Sequence, residues 1–309
     1  MNEGFQFMPD QASSVAPQVD HLYYFLIAVT VFFTVLIFVL IVYLGLKYRR
    51  KSEAMPPHVH GNMKLEIAWT IVPMILVIVM FVWGASLFVQ MSRPPANAMD
   101  IYIVGKQWMW FAQHPSGPRE NNELHVPVGK PIKLTMASQD VIHSFFIPAF
   151  RVKQDVIPGR YSYEWFTPTA VGEYHLFCAE YCGKGHSQMI GKIVVMDEAK
   201  YQAWLSGSTG DEPMARAGER LFSKYSCATC HGQQGPTMAG LYGAQRTLTD
   251  GSKVVADDAY LRESILNAPA KLVAGYPPIM PSYRGQLTEE QIAQLIVYIK
   301  SLKVPQRNY

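Results

Sequence analysis

The four cysteines stand in two pairs, and each pair brings other metal-binding side chains with it. Cys227-Ala-Thr-Cys230-His231 is a C-x-x-C-H run. At this spacing two thioethers can tether a porphyrin while the adjoining imidazole is placed to ligate its iron. A dithiol redox pair would need a βαβ pattern around it, and a zinc site would need two more ligands nearby; the sequence offers neither. A cytochrome c iron commonly takes a methionine as its other axial ligand. Met280, in the proline-stiffened run Tyr-Pro-Pro-Ile-Met-Pro-Ser-Tyr, is the favoured residue, and Met238 is its competitor.

The other pair lies in Cys178-Ala-Glu-Tyr-Cys182-Gly-Lys-Gly-His186-Ser-Gln-Met189. Thiolate, imidazole and thioether within twelve residues form a soft donor set suited to copper. One cysteine with two histidines and a methionine would describe a mononuclear blue-copper site. Here two thiolates four residues apart could bridge two copper ions, with His143, 35 residues before Cys178, as the distant imidazole. A Cys178–Cys182 disulfide or a zinc site would use the same cysteines, but the extra soft ligands count against the disulfide.

These ligands need scaffolds. Leu22–Leu46 and Ile67–Val89 are uncharged apolar runs, each longer than the ~20 residues that a helix needs to cross the hydrocarbon core. The loop between them carries Lys47, Arg49, Arg50, Lys51 and Lys64, whereas no Lys or Arg precedes the first run. The positive-inside rule puts that loop in the cytoplasm and both termini outside. The first run is too long for a signal-peptide core and lacks a basic segment before it, so it reads as retained. From Met99 to Met196, short runs rich in β-branched and aromatic residues alternate with turn residues, which predicts a small β-sandwich or barrel. Ser206–Pro213 is small and polar, as in a linker. After it, ARAGERLFSKYS and TEEQIAQLIVYIKSLK read as helices, the second capped by Thr288. The expected layout is an N-terminal segment with two spans over 1–92, an all-β copper domain over 93–205, a linker over 206–213 and an all-α cytochrome domain over 214–309. A net charge of +3 across 309 residues argues against nucleic-acid binding, and four cysteines are too few for a disulfide scaffold of this size.

Taken together, the two spans, the copper-type loop and the haem-attachment run resemble subunit II of a haem–copper cytochrome c oxidase with a cytochrome c domain fused at its C-terminus. The resemblance covers nearly the whole chain. It implies a cupredoxin fold holding a binuclear copper centre, with bridging Cys178 and Cys182, terminal His143 and His186, Met189, and the backbone carbonyl of Glu180. It further implies that the Glu180 side chain helps bind Mg²⁺ or Mn²⁺ at the interface with the catalytic subunit. Trp108 matches the aromatic patch where electrons come in, although Met109 stands where a tyrosine is common. Glu66 matches an acidic residue near a proton-uptake channel; it also reads as an interfacial charge favoured by a helix N-terminus.

The resemblance implies electron transfer from a covalent haem c through the copper pair to subunit I, where O2 is reduced to water with proton pumping. Subunit III, membrane lipid, and cytochrome c or an upstream cytochrome complex complete the expected partners. No oxygen-reducing site is expected in this chain, because two spans could not enclose one. Three other readings remain: a nitric oxide reductase subunit with the same copper centre, an anchored copper chaperone or electron carrier, and a quinol oxidase subunit. The chaperone pattern puts its histidine after the cysteines, and the quinol oxidase pattern lacks the copper ligands.

Overall fold

A computed structural model describes residues 8–51, 53, 55, 60–208, 212–232 and 234–303. Part of the expected linker, 209–211, and the ends of the chain lie outside these. The described chain forms two compact units, one comprising residues 15–93 and the other joining the N-terminal segment to residues 94–309.

The smaller unit is a helical hairpin. α1 (Ala16–Lys47) and α2 (Met63–Met91) both start earlier than the apolar runs themselves, because polar residues can extend a helix past the hydrocarbon region. At about 48 and 43 Å both are long enough to cross a membrane. Most of their large apolar side chains point outward, Phe38 at 66% and Phe81 at 72% exposure, as lipid-facing residues do. Asn62 caps α2 by accepting from the Lys64 and Leu65 amides, and Phe25 packs on Trp83 with ring centres 5.4 Å apart.

In the larger unit, ten strands form a sandwich. They are β1 (Met99–Lys106), β2 (Met109–Gln113), β3 (Arg119–Asn121), β4 (Glu123–Pro127), β5 (Ile132–Ser138), β6 (His143–Ile147), β7 (Val152–Val156), β8 (Ser162–Phe166), β9 (Gly172–Cys178) and β10 (Ile190–Met196). One sheet runs β3-β2-β1-β5-β8 and the other β4-β10-β9-β6-β7. Ile101, Ile103, Leu134, Phe145, Phe166 and Ile193 are essentially fully buried between the sheets. The N-terminal segment adds to this fold: the Ala12 amide donates to the Ala149 carbonyl and the Thr169 amide to the Ala12 carbonyl.

A helix that the strand pattern does not foretell, α3 (Glu198–Gly207), follows β10 and takes up the first residues of the expected linker. Its Tyr201 and Trp204 pack on a buried relay in which Glu120 accepts from His114 and His125. The C-terminal part comprises α4 (Met214–Lys224), the hairpin β11 (Gln245–Thr247) and β12 (Lys253–Val255), α5 (Asp258–Leu266) and α6 (Glu289–Ser301). Thr288 and Gln291 form a reciprocal capping box on α6. Gly218 lets α4 cross α6 closely, since a Cβ there would lie 2.1 Å from the Gln294 carbonyl.

Candidate metal and haem centres

His143 opens β6 and Cys178 closes β9, adjacent strands that place Phe145 opposite Cys178. The loop from 179 to 189 then folds back so that the Cys178 amide donates to the Met189 carbonyl. This closure gathers the predicted donors. The two sulfurs stand 3.7 Å apart as free thiols, too far for a disulfide. His143 Nδ1 lies 3.9 Å from Cys178 Sγ and His186 Nδ1 lies 3.5 Å from Cys182 Sγ. Met189 Sδ is 3.8 Å from Cys182 Sγ, and the Glu180 carbonyl oxygen is 3.3 Å from Cys178 Sγ. His143 and Met189 are fully buried and Cys182 nearly so. Two thiols, two imidazoles, a thioether and a carbonyl turned toward one another fit a thiophilic metal pair such as copper.

Electrostatics split the two thiols. Burial opposes ionisation of Cys178, but hydrogen bonding to His143 and to the Ser144 and Glu180 backbone brings its pKa down to about 6. Burial and the neighbouring Cys178 push Cys182 up, to about 12. The first proton of the pair therefore leaves more easily than the second, which a metal must draw off.

Besides Trp108, residues that sequence reasoning did not single out hold this loop. Asp140 accepts from His143 Nε2 at 2.8 Å and from the Gln107 amide at 2.7 Å, which turns His143 Nδ1 toward the sulfurs. Burial opposes the Asp140 charge, yet these hydrogen bonds hold its carboxyl below the usual range. Gln107 Nε2 and Trp108 Nε1 both donate to the Cys182 carbonyl, at 2.8 and 3.1 Å. The Trp108 ring lies on Gly185, where a Cβ would sit 2.5 Å from the indole, and Gly183 adopts φ +111°. The His at i+3 from Asp140 was the one readable signal; the glycines report a close approach visible only in three dimensions. Met109 is about as exposed as Trp108, and Tyr181 and the Glu180 residue as a whole face outward. Glu66 belongs to the first turn of α2, in the separate helical unit.

Cys227, Cys230, His231, Met238 and Met280 line a single cleft between α5, α6 and the loop before α6. Its remaining wall is largely apolar, including Leu261, Ile265, Leu295 and Ile299. His231 Nδ1 lies 2.9 Å from the Pro236 carbonyl. Donation there leaves Nε2 free to bind a metal. The two thiols are half-buried and free. The cleft therefore fits a flat apolar macrocycle tethered at one edge. Met280 is half-buried, whereas Met238 is 9% exposed within the core cluster beneath.

Comparisons with known proteins match three parts of the chain. Residues 99–197 match the family described as cytochrome c oxidase subunit II, periplasmic domain, and residues 2–87 match its transmembrane domain. Residues 213–299 match cytochrome c oxidase, cbb3-type, subunit III. Cytochrome c oxidase subunit 2 of Alkalihalophilus pseudofirmus is 31% identical over 291 residues, covering 88% of this chain and 83% of the relative. The alternative cytochrome c oxidase subunit 2 of Bradyrhizobium diazoefficiens is 30% identical over 60% of this chain and 80% of its own. The solved periplasmic domain of subunit II of cytochrome oxidase from Bradyrhizobium japonicum is 33% identical, covering 38% of this chain and 96% of that one with a TM-score of 0.36. Matched by both subunit II domain models and by a relative 31% identical over 88% of this chain's length, the chain belongs to the cytochrome c oxidase subunit II family.

Proposed function

We propose that this chain is the electron-accepting subunit of a haem–copper oxidase, carrying a covalent haem c and a binuclear copper centre. The observation that carries the reading is the convergence of four further donors on two free thiols 3.7 Å apart. Cys178 and Cys182 would bridge two copper ions, with His143, His186, Met189 and the Glu180 carbonyl completing the set. Cys227 and Cys230 would tether the haem, with His231 and Met280 as axial ligands. Bound there, the copper pair would take up and release one electron shared between both ions.

The residues around the site suit that task. Two strands and a closed loop hold the ligands, so little has to move when charge changes. Asp140 fixes the orientation of His143, and Trp108 joins the protein surface to the Cys182 carbonyl. The outward-facing Glu180 supports binding of Mg²⁺ or Mn²⁺ with the catalytic subunit, and Glu66 at the α2 N-terminus supports a place near proton uptake. The Lys47–Lys51 basic run supports an orientation with the copper and haem domains on the periplasmic or extracellular side. Subunit I would receive the electrons and reduce O2 to water with proton pumping; subunit III and a cytochrome donor complete the proposed assembly.

Electron paramagnetic resonance with metal and haem analysis of the purified membrane complex tests this. One electron shared by two copper nuclei of spin 3/2 gives seven hyperfine lines, whereas a single copper gives four. The expected result is seven lines, two coppers and one covalent haem per chain. Four lines, or no copper, would overturn the binuclear assignment. The co-purifying haems separate an oxygen reductase from a nitric oxide reductase.

A further inference from the structure

The cytochrome part is seated on the outer face of the β3-β2-β1-β5-β8 sheet. Gln113, Tyr102, Thr135 and Tyr163 form one row across that face by strand register. An exposed sheet face would leave Tyr102 and Thr135 open to water, yet they are 3% and 1% exposed. Tyr102 shares a buried cluster with Met214 of α4 and Ala293 of α6, and Gln294 donates to Gln113.

Two ionic anchors stand at opposite ends of α6. At its C-terminal end Lys300 pairs with Asp258 at 2.7 Å, donates to the Tyr102 hydroxyl at 3.0 Å and lies 3.9 Å from Asp100. Asp258 also accepts from the Tyr242 hydroxyl, and Asp100 pairs with Lys133. At the N-terminal end Arg262 pairs with Glu289 and donates to the Gly159 carbonyl of the sandwich, with its guanidinium over the Tyr161 ring. Lys300, Arg262 and Asp258 are largely withdrawn from water, at side-chain exposures of 18%, 7% and 4%. Beside the Arg262 anchor lies a cleft lined by Ser138 and Gln139 of the sandwich and by Tyr260, Lys271 and Leu287 of the cytochrome part. Those last three residues also line the haem-type cleft. Gln139 adjoins Asp140, the residue that orients His143.

We infer that the Lys300 and Arg262 anchors form a clamp that holds the cytochrome domain in one orientation, with the wall of its haem cleft toward the His143 side of the copper loop. Lys300 is then a positioning residue. The fused cytochrome works as a fixed electron donor, not as a tethered shuttle that finds the copper domain by diffusion. This consequence rests on the haem and copper reading above: one electron leaves the reduced haem and enters the oxidised copper pair, with no bond made or broken.

Docking and electron transfer are separately measurable on the purified complex. Hydroxyl-radical footprinting of the Tyr102 and Met214 side chains, buried where the two parts meet, reads docking whatever metals are present. Protection is expected in the native protein and its loss in Lys300→Met. Lys300→Met/Asp258→Asn, which leaves no buried charge unpaired, tests the same anchor if the single variant folds poorly. Unchanged protection in these variants overturns the clamp. Flash-initiated haem-to-copper transfer reads the consequence. Ionic strength screens exposed charges beyond about 10 Å at 0.1 M but spares buried pairs, so the native rate should be flat with added salt. A steep salt dependence indicates a shuttle and overturns the proposal. Lys300→Met should slow transfer roughly tenfold to a hundredfold while the haem potential and spectrum hold, and Lys300→Arg should restore it. A complex that lacks haem or copper sinks the functional reading, while the footprinting result still decides the clamp.

Discussion

In the copper loop the donor atoms already stand together inside a closed β scaffold, whereas in the cytochrome domain the corresponding groups line an open cleft. His143 and Cys178 are fixed by neighbouring strands, and Trp108, Gln107 and Asp140 press the loop into place from outside. Cys227 and Cys230 occupy a short turn, and Met280 sits on a proline-rich loop between α5 and α6. The difference follows from what each site has to enclose. Two metal ions need only a few ångströms between donors, which strand geometry can supply in advance. A macrocycle is far larger than two ions, so the groups suited to it line a cleft whose apolar wall is drawn from several elements.

The two sites should therefore fail independently, and the largest effect comes from removing a bridging thiol. Cys182→Ser is expected to abolish the binuclear copper signal and leave the covalent haem spectrum intact. Cys227→Ala/Cys230→Ala should do the reverse, losing covalent haem while the copper signal remains. Paired paramagnetic resonance and haem staining read both, and loss of both centres in either variant would break the comparison.

Next in size is the Glu120 relay, which supports the sandwich away from both centres. Burial raises the Glu120 pKa, but hydrogen bonds with His114 and His125 outweigh it and hold the carboxyl at about 2, against an ordinary 4.5. A group depressed in the folded state stabilises above its unfolded value and loses that contribution as pH falls toward its folded value. Glu120 should therefore contribute on the order of 3 kcal/mol above pH 4.5, lost between about 4.5 and 2. Glu120→Gln should lower stability at neutral pH and flatten the acid limb of the unfolding profile. An unchanged acid limb would remove the relay from the account.

A smaller change sharpens the idea that the copper ligands are positioned in advance. Asp140→Asn weakens the hold on His143 without touching a donor atom, and loss of such a supporting contact costs about 10–100-fold in metal affinity. Copper titration of the apoprotein should show that weakening, with haem content unchanged. Equal affinity would mean that the strands alone orient His143.

The smallest energetic effect belongs to Met280→Leu. A Met-to-Leu exchange of similar volume costs less than about 1.5 kcal/mol, so the domain should stay folded. The sulfur–iron charge-transfer band at the red end of the oxidised haem spectrum should nonetheless disappear. Its persistence would move the axial ligand to Met238 or another residue.

How much of this was legible varies by element. The long apolar runs and the capped final helix could be read directly, because lipid crossing and capping impose local, periodic requirements. The strand at 162–166 could not be oriented from its pattern. Its aromatic Tyr163 and Trp165 would suggest the buried face, yet Ser162, Glu164 and Phe166 point inward, with Glu164 opposite Leu134 in register. Burial then pushes the Glu164 pKa well above the carboxylate range. Register with β5 sets that face, and register is a property of the sheet. Helix α3 was missed because most of it lies in the stretch read as all-β, and its place depends on Tyr201 and Trp204 packing on His114 and His125.

The spacing of Cys178, Cys182, His186 and Met189, and of Cys227, Cys230 and His231, determined by itself which ligands could act together, because each set lies within one short loop whose length limits its reach. His143 could only be nominated, 35 residues away. Pairing of β6 with β9 brought it to the sulfurs. The tertiary structure alone supplied Asp140 behind it, the close packing of Trp108 on Gly185, and the burial of Tyr102 beneath α6. Such features depend on which surfaces meet after the chain has folded, and no local pattern encodes that meeting.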